Sequence, residues 1–217
     1  MEKHKIAAVI PSHNENIKVL KKVLNSIQFC KIIVLVDDNS KPKIKINKKN
    51  IQILRNKMQL GYEKSLIKGI RHVLLYKKNI NYLFTIDADY QHKINYLIKN
   101  IKKIKKNDIT IFTRKSKNRV LENFLSQLFY KKFKIKDPLS GFKIYNINAF
   151  SKINLNQVKL NDYLVDLLYL FYKNNVSIGH ISSTTRSRRS QPKVGSYFSV
   201  NFKIIKIFCK YLMYRII

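Results

Sequence analysis

Apolar and polar residues alternate along the chain with two periodicities. Short, continuous apolar runs are typical of buried strands. They cover residues 6–10, 31–36, 51–54, 82–86 and 108–112. Between these runs, apolar residues recur every three or four positions, which indicates one buried helix face, over residues 14–28, 61–76 and 94–104. This order of strands and helices predicts an α/β fold with a mainly parallel sheet covered on both faces.

Three of the predicted strands end in polar turns that are rich in acid. The turns cover residues 11–15, 37–40 and 87–92. The chain has only 12 acidic residues, and these turns hold Glu15, Asp37, Asp38, Asp87 and Asp89. Because ligands bind beyond the carboxyl ends of parallel strands, we expect a site here for a cation or for the polar groups of a nucleotide.

The Asp87-Ala88-Asp89 turn predicts a metal site more specifically. Two carboxylates separated by one small residue can face the same divalent cation. Mg²⁺ and Mn²⁺ prefer oxygen ligands, which substrate phosphates often complete. A bare Asp-x-Asp pattern is commonly only a solvated turn or a helix cap. Its position after an apolar strand, beside two other acid-rich turns, favours the metal.

The motifs resemble those of the family-2 glycosyltransferases of the GT-A fold, and within that family the dolichyl- and polyprenyl-phosphate sugar synthases. The matching segments are residues 9–15, 36–40, 86–92, 137–145 and 186–193. The resemblance implies a Rossmann-like GT-A fold. It also implies a Mg²⁺- or Mn²⁺-dependent, inverting transfer of a sugar from a GDP- or UDP-sugar to a polyprenyl phosphate. A glycan or a lipopolysaccharide or capsule precursor is the alternative acceptor.

The same resemblance implies roles for individual residues. The nucleotide sugar would contact Pro11, His13, Glu15, Val36, Asp38, Asp87, Ala88, Asp89, Arg189 and Lys193. The metal ligands would be Asp87, Asp89 and Gln91. The acceptor would meet Arg114, Ser140 and Arg186, and the catalytic residues would be Asp89, Asp137 and Arg114. Which arginine of residues 186–189 binds phosphate stays open.

Two departures from the family pattern leave the nucleotide and the sugar open. His13 stands where the family usually has tyrosine. Lys41-Pro42-Lys43 replaces an Asp-Gly-Thr that is common in the family.

Two carboxylates in the second half of the chain have alternative interpretations. Asp137 begins a tight turn, in which Pro138 fixes φ and Gly141 permits unusual backbone conformations. Its carboxylate either stabilises this turn or lies near the acceptor, directly or through a basic partner. An anionic lipid phosphate would need no strong general base. Asp166 lies in an apolar segment, where it is either functional or the buried partner of a lysine or arginine.

The formal net charge of +32 suits an anionic partner. An anionic membrane surface or a phosphorylated substrate is favoured over nucleic acid. Most of the positive residues are lysines scattered among isoleucine and asparagine, all of which have A/T-rich codons, and no nucleic-acid-binding motif accompanies them. The acid-rich turns would also repel phosphates in the absence of a metal. A basic nucleic-acid-binding domain is therefore a distant alternative.

Two segments predict contact with a membrane. Residues 119–133 place Val120, Phe124 and Leu128 at helical spacing, and residues 198–217 combine large apolar side chains with Lys203, Lys206 and Lys210. We expect a catalytic domain over residues 1–196 and a membrane-associated helix over residues 197–217. A core helix or a homodimer helix is the alternative for the second segment.

The predicted attachment is peripheral, on the cytoplasmic face of the membrane. No apolar run reaches the roughly 18 residues that a spanning helix needs. Cys30 and Cys209 have no CxxC pattern, which is typical of reduced cytoplasmic thiols.

Overall fold

Seven strands form one mixed sheet in the computed structural model, which describes residues 5–75, 79–115, 120–159 and 164–186, together with residues 202, 204–207, 209 and 210. The strands are β1 (Ile6–Ser12), β2 (Ile32–Asp37), β3 (Ile51–Arg55), β4 (Tyr82–Thr85), β5 (Ile109–Arg114), β6 (Lys143–Asn146) and β7 (Ile178–Ser183). Their spatial order is β3-β2-β1-β4-β6-β5-β7. Strand β6 runs antiparallel to β4 and β5, and the other pairs are parallel. The predicted α/β class is confirmed.

Helices pack on both faces of this sheet. They are α1 (Ile17–Ser26), α2 (Tyr62–Leu75), α3 (Asn95–Lys99), α4 (Ile101–Ile104), α5 (Val120–Phe133) and α6 (Val165–Lys173). Successive strand residues face opposite sides. In β1, Val9 therefore packs with Leu66 and Ile70 of α2, whereas Ile10 packs with Leu20 and Leu24 of α1. Because helices cover both faces of the sheet, the residues on both sides of each strand are apolar. The strands are therefore continuous apolar runs in the sequence.

Helix α2 lies unusually close to the sheet at Gly69. A Cβ at this position would overlap Cγ1 of Val9 and would lie 3.0 Å from Cγ2 of Val36. Because glycine has no side chain, the α2 backbone can settle directly on β1 and β2. This contact fixes the position of α2 relative to β1 and β2.

Several boundaries differ from those expected from the pattern. The N-cap of α1 is Asn16, whose Oδ1 accepts a hydrogen bond from the Lys18 amide at 2.9 Å, whereas Asn14 is in the left-handed region with φ of 49°. The single helix expected over residues 94–104 is divided at Asn100 into α3 and α4. Strand β6 was not expected, since Lys143 interrupts its apolar run.

The C-terminal segment is partly built into the core. Residues 204–207, 209 and 210 are helical. Ile204 and Ile207 are 1% and 2% exposed and belong to the main hydrophobic cluster, while Phe202 and Ile205 are 71% and 45% exposed. Ile204 and Ile207 fit the alternative of a core helix, and contact of this segment with a membrane stays a prediction. In the described ranges, no helix combines the length and the apolar character needed to cross a bilayer.

Asp166 also belongs to this packing. Its Oδ2 accepts a hydrogen bond from the Lys159 amide at 2.7 Å, and its Oδ1 lies 3.8 Å from the Lys210 ammonium. Of the two interpretations left open by the sequence, the buried partner of a lysine is the one that the structure supports. The ion pair joins α6 to the C-terminal segment.

The two faces of the C-terminal segment should differ in their effect on stability. Ile207→Ser should lower the free energy of unfolding by about 2–5 kcal/mol, because it removes a buried side chain from the core. Ile205→Ser, two residues away on the exposed face, is the matched control and should leave stability within about 0.5 kcal/mol. Urea unfolding of both variants measures the difference. Equal, small effects would show that the segment does not stabilise the domain.

Candidate active site

The three acid-rich turns meet at one edge of the sheet. The Asp38 amide donates to the Ser12 carbonyl at 2.8 Å, and the Asn14 amide donates to Ser40 Oγ at 3.0 Å, so the turns after β1 and β2 are joined directly. Strand β4 lies on the other side of β1, and the amide of Ile86 donates to the Val9 carbonyl at 3.2 Å. The predicted juxtaposition of these turns at the carboxyl ends of the strands is therefore present.

Asp37 and Asp38 organise the backbone at this edge. Asp37 is fully buried, accepts a hydrogen bond from the Ser40 amide at 2.8 Å and forms an ion pair with Arg55. Asp38 is 3% exposed, and its carboxylate accepts hydrogen bonds from the Leu60 and Gly61 amides, each at 2.8 Å. Both carboxylates thus hold the loops that follow β2 and precede α2.

Protein groups occupy part of the predicted nucleotide site. The Asp38 carboxylate, which was expected to contact the nucleotide sugar, also accepts a bond from Asn56 Nδ2 at 2.7 Å and stabilises the protein itself. Its contact with a ligand stays a prediction. Val36 was given a similar role, yet its side chain is fully buried beneath Gly69. Pro11 is also buried. Val36 can therefore contact a ligand at this edge only through its backbone atoms.

His13 and Glu15 remain at the rim of the edge, where both are half-buried. The His13 Nδ1–H donates to the Asp38 carbonyl at 2.7 Å, since a carbonyl can only accept. Nδ2 of Asn14 donates to Nε2 of the same ring at 3.2 Å, which fixes the tautomer. Glu15 Oε1 accepts from the Asn16 amide at 3.0 Å. The imidazole is therefore held in one orientation beside the end of β2.

Both oxygens of the Asp87 carboxylate are held by the protein. Oδ1 accepts a hydrogen bond from the Tyr62 hydroxyl at 3.1 Å, and Oδ2 lies 3.0 Å from Nε2 of His92. The Asp87 side chain is nevertheless 31% exposed. Burial acts to raise the pKa of Asp87, but the bond and charge of His92, with Tyr62 and Lys143, outweigh it and lower the pKa. Asp87 is consequently ionised and partly open to solvent.

Asp89 and Gln91 lie on the same turn as Asp87. Oδ1 of Asp89 accepts a hydrogen bond from the Gln91 amide at 3.1 Å, and both side chains are half-buried. Ala88 between the two aspartates is 7% exposed and packs into the core. The small buried residue anchors the turn while the polar residues on either side stay accessible.

The turn before β6 lies directly against Asp87. A Cβ on Gly141 would overlap both carboxylate oxygens of Asp87, and the Gly141 carbonyl accepts a hydrogen bond from Thr85 Oγ1 at 2.9 Å. Lys143 is 5% exposed and its ammonium donates to the Ser140 carbonyl. Burial lowers the pKa of Lys143 to about 8, with Asp137 and Asp87 opposing the shift. The sequence feature that could have identified Lys143 as a residue of the site is its place as a single lysine in an apolar segment.

Arg114 and Asp137 form a nearly enclosed ion pair. Asp137 is 1% exposed and accepts three bonds from Arg114, from Nε at 3.0 Å, from a terminal nitrogen at 2.8 Å and from the backbone amide at 2.8 Å. The other terminal nitrogen of Arg114 lies 3.3 Å from Glu122. The alternative in which Asp137 acts through a basic partner is the one that this geometry supports. Arg114 keeps 21% of its side chain exposed.

Ser140, which was expected to meet the acceptor, is bound within the protein, and its contact with an acceptor stays a prediction. Its hydroxyl donates to the Phe112 carbonyl at 2.8 Å and the residue is 1% exposed. Ser140 therefore stabilises the turn between Asp137 and Gly141.

Arg186 holds the turn that carries the aspartates. Its amide donates to the Gln91 carbonyl at 2.9 Å, and one terminal nitrogen donates to the carbonyls of Tyr90 and His92 at 3.1 and 2.8 Å. Its guanidinium lies 4.0 Å from the centroid of the Tyr90 ring, a cation–π distance. Tyr90 has a φ of 61°, in the left-handed region that residues other than glycine rarely adopt.

Arg189 and Lys193, which were assigned to the nucleotide sugar, lie outside the described residues.

The model of the family described as glycosyl transferase family 2 matches residues 7–157, which include all three acid-rich turns and the Arg114–Asp137 pair. The chain belongs to this family. Two proteins of Methanocaldococcus jannaschii with no characterised function are similar to it. One is 32% identical over 161 residues, or 63% of this chain and 69% of the relative. The other is 26% identical over 226 residues, or 94% and 91%.

Solved glycosyltransferase structures share the fold of this transferase. Glucosyl-3-phosphoglycerate synthase from Mycobacterium tuberculosis, in complex with Mn²⁺, UDP and glucosyl-3-phosphoglycerate, superposes with a TM-score of 0.67 at 12% identity, covering 98% of this chain and 80% of that one. Its complex with Mn²⁺, UDP-glucose and glycerol 3-phosphate gives a TM-score of 0.65 at 13% identity over the same shares. The likeness confirms the GT-A fold.

The donor set of the transferase suits a catalytic cation rather than a structural one. Within the described ranges, no three side chains of histidine, cysteine, aspartate or glutamate form a metal cage. Asp87 and Asp89 offer two accessible carboxylates on one turn, and Mg²⁺ or Mn²⁺ commonly takes one or two such ligands and completes its shell with phosphates and water. The residues present therefore fit a cation that is shared with a substrate.

Asp38→Ala should destabilise the transferase. It leaves the Leu60 and Gly61 amides without their acceptor, which costs about 1–3 kcal/mol for a buried group. The hydrogen bonds outweigh burial and lower the pKa of Asp38, so the stabilisation is complete above the unfolded value of about 3.9 and is lost as the pH falls through the folded value. Urea unfolding at several pH values measures this. A variant with full stability but no nucleotide affinity would restore the ligand role.

Gly141→Ala should abolish most of the activity of a folded protein. The added methyl group displaces the Asp87 carboxylate, and a shift of about 1 Å at a reacting centre can cost about 100-fold in rate. Gly179→Ala is the matched control, because its Cβ would overlap the side chain of Asn107, remote from the aspartates. Circular dichroism and transfer assays compare the two variants. Equal losses of activity would show that the effect is not specific to Asp87.

Proposed function

We propose that this transferase moves a sugar from a GDP- or UDP-sugar to a polyprenyl phosphate, with inversion, at the surface of a membrane. The observation that carries the proposal is the Arg114–Asp137 ion pair. A hydroxyl acceptor must lose its proton during transfer, which requires a general base. A phosphate acceptor is already anionic and needs none.

The state of Asp137 favours the phosphate acceptor. A carboxylate whose two oxygens accept three hydrogen bonds from a guanidinium group and a backbone amide is occupied by these donors and is poorly placed to take a proton from an acceptor hydroxyl. Asp87 and Asp89 are the carboxylates proposed for the metal. The part of Arg114 that remains exposed offers the positive charge that an anionic acceptor would meet at the end of β5.

The proposed donor chemistry uses Mg²⁺ or Mn²⁺ held by Asp87 and Asp89, with Gln91 beside them. The solved complexes of glucosyl-3-phosphoglycerate synthase contain Mn²⁺ with UDP or UDP-glucose, which supports a similar pairing here. When bound, such a cation supplies a Lewis acid that neutralises charge on the departing nucleoside diphosphate. The protein holds the turn for this purpose through Arg186, which fixes the carbonyls of Tyr90 and His92.

The proposed membrane contact involves exposed aromatic and basic side chains. On α5, Phe124 and Tyr130 are 51% and 43% exposed, and the Lys136 ammonium lies 4.6 Å from the centroid of the Tyr130 ring. Phe202 and Ile205 are exposed on the C-terminal segment. Aromatic and lysine side chains of this kind suit the interface of an anionic bilayer, and we place the protein peripherally on the cytoplasmic face.

The function is tested with purified protein and a panel of nucleotide sugars. UDP-glucose, GDP-mannose and UDP-N-acetylglucosamine are each supplied with Mn²⁺ and with a polyprenyl phosphate in anionic liposomes, and co-sedimentation reports binding to the liposomes. The control acceptor is the polyprenol that has the same chain and no phosphate. Oligosaccharide acceptors test the alternative function, which is transfer to a glycan. Transfer to the phosphate alone supports the proposal, whereas transfer to polyprenol or to a glycan instead would contradict it.

Asp89→Asn should abolish transfer while the protein stays folded, because the cation loses a charged ligand. Asp108→Asn is the matched control, since Asp108 pairs with Lys152 and Ser177 at the opposite end of β5. Excess chelator should stop the wild-type reaction and added Mn²⁺ should restore it. Undiminished activity of Asp89→Asn, or in chelator, would rule out the metal-dependent mechanism.

A further inference from the structure

The Asp87 carboxylate is enclosed on three sides, by the side chains of Tyr62 and His92 and by the backbone at Gly141. Tyr62, in the first turn of α2, donates to Oδ1, and His92 donates to Oδ2 from five residues further along the chain. Gly141 leaves no space behind the carboxylate, because even a methyl group there would overlap both oxygens. The carboxylate therefore cannot turn without breaking a hydrogen bond or meeting the backbone.

His92 is buried in a way that core packing does not explain. Its side chain is 4% exposed, its ring lies 5.4 Å from the Phe142 ring, and its Nδ1 is buried with no hydrogen-bond partner among the described residues. An unpartnered buried nitrogen destabilises a protein, so an apolar side chain would serve the core better. Among the described residues, the polar contact that the imidazole makes is the bond to Asp87. We infer that this bond is the reason for a histidine at this position.

Tyr62 makes a comparable contribution from the other side. The Tyr62 hydroxyl donates to Oδ1 at 3.1 Å, and a carboxylate oxygen can only accept this bond. The phenol links α2, which packs on β1 and β2, to the turn after β4. The two donors thus fix Asp87 relative to α2 and to its own turn.

We propose that Tyr62 and His92 are positioning residues that fix the two oxygens of Asp87, so that the carboxylate presents its remaining lone pairs to a divalent cation. The proposal rests on the metal-dependent function proposed above. Groups that hydrogen-bond to metal ligands orient them, and removal of one typically lowers metal affinity by about 10- to 100-fold. Both residues would act through Asp87 and not as ligands of the cation.

The test measures binding of Mn²⁺ alone, with no nucleotide or acceptor, by the electron paramagnetic resonance signal of the free ion. Tyr62→Phe removes only the hydroxyl and should weaken Mn²⁺ binding about tenfold or more, with little change in the unfolding temperature. Tyr96→Phe is the matched control. It also removes a phenol oxygen, one that lies 3.0 Å from Thr184 Oγ1 and does not contact Asp87, and it should bind Mn²⁺ as the wild type does.

A pair of variants at His92 tests the second donor. His92→Gln keeps an N–H group near the position of Nε2 and should retain most of the affinity, whereas His92→Leu removes the donor and should lose about tenfold or more. This pair decides the question even where Tyr62→Phe fails to fold, since both substitutions remove the imidazole and differ in the donor.

The outcomes separate this proposal from the proposed function. Wild-type binding of Mn²⁺ that is unchanged in Tyr62→Phe and His92→Leu would overturn the positioning role and leave the metal-dependent function standing. A wild type that binds no Mn²⁺ would overturn both. Equal losses in Tyr62→Phe and Tyr96→Phe, or in His92→Gln and His92→Leu, would show a general structural effect and would also overturn the positioning role.

Discussion

The contact between the Asp87 carboxylate and Gly141 joins the two halves of the sheet at the candidate site. Strand β6 enters antiparallel between β4 and β5, and this brings the turn before β6 against the turn after β4. The Thr85 hydroxyl closes the contact by donating to the Gly141 carbonyl. Because β6 runs antiparallel to both β4 and β5, those two strands end at the same edge, and Arg114 at the end of β5 lies at the edge that carries Asp87. The turn before β6 brings Asp137 and Gly141 to this edge as well.

The few acidic residues act mainly as partners of buried or half-buried cations and amides. Asp37 pairs with Arg55, Asp137 pairs with Arg114 and Asp166 approaches Lys210, and each of the three aspartate residues is buried. Breaking such a pair leaves an uncompensated buried charge, which is strongly destabilising. In a chain with a net charge of +32, the carboxylates are therefore concentrated where the backbone must be held, and most of the lysines remain at the surface.

The sequence was sufficient to predict the edge of the sheet that carries the site, but not the direction in which each side chain points. Apolar runs followed by acid located the ends of β1, β2 and β4, because parallel strands end together. The inward orientation of Asp38 could not be predicted, since its donors, the Leu60 and Gly61 amides, lie 22 and 23 residues further along the chain. The same applies to Ile204 and Ile207, whose burial depends on tertiary packing that a helical periodicity does not specify.

The proposed reaction brings two anionic substrates together, and the charges at the edge determine whether this is possible. Asp137 and Glu122 are balanced by Arg114 and Lys143, so this cluster contributes little net charge. Asp87 and Asp89 together carry two negative charges, which one divalent cation would neutralise. The diphosphate and the acceptor phosphate would then meet no net negative charge from Asp87 and Asp89. They would approach through the positive field of the lysine-rich surface, which raises the local concentration of anions. Without the cation, Asp87 and Asp89 would repel both substrates. In the proposed reaction the two aspartates would therefore bind the nucleotide-sugar donor only together with a metal ion.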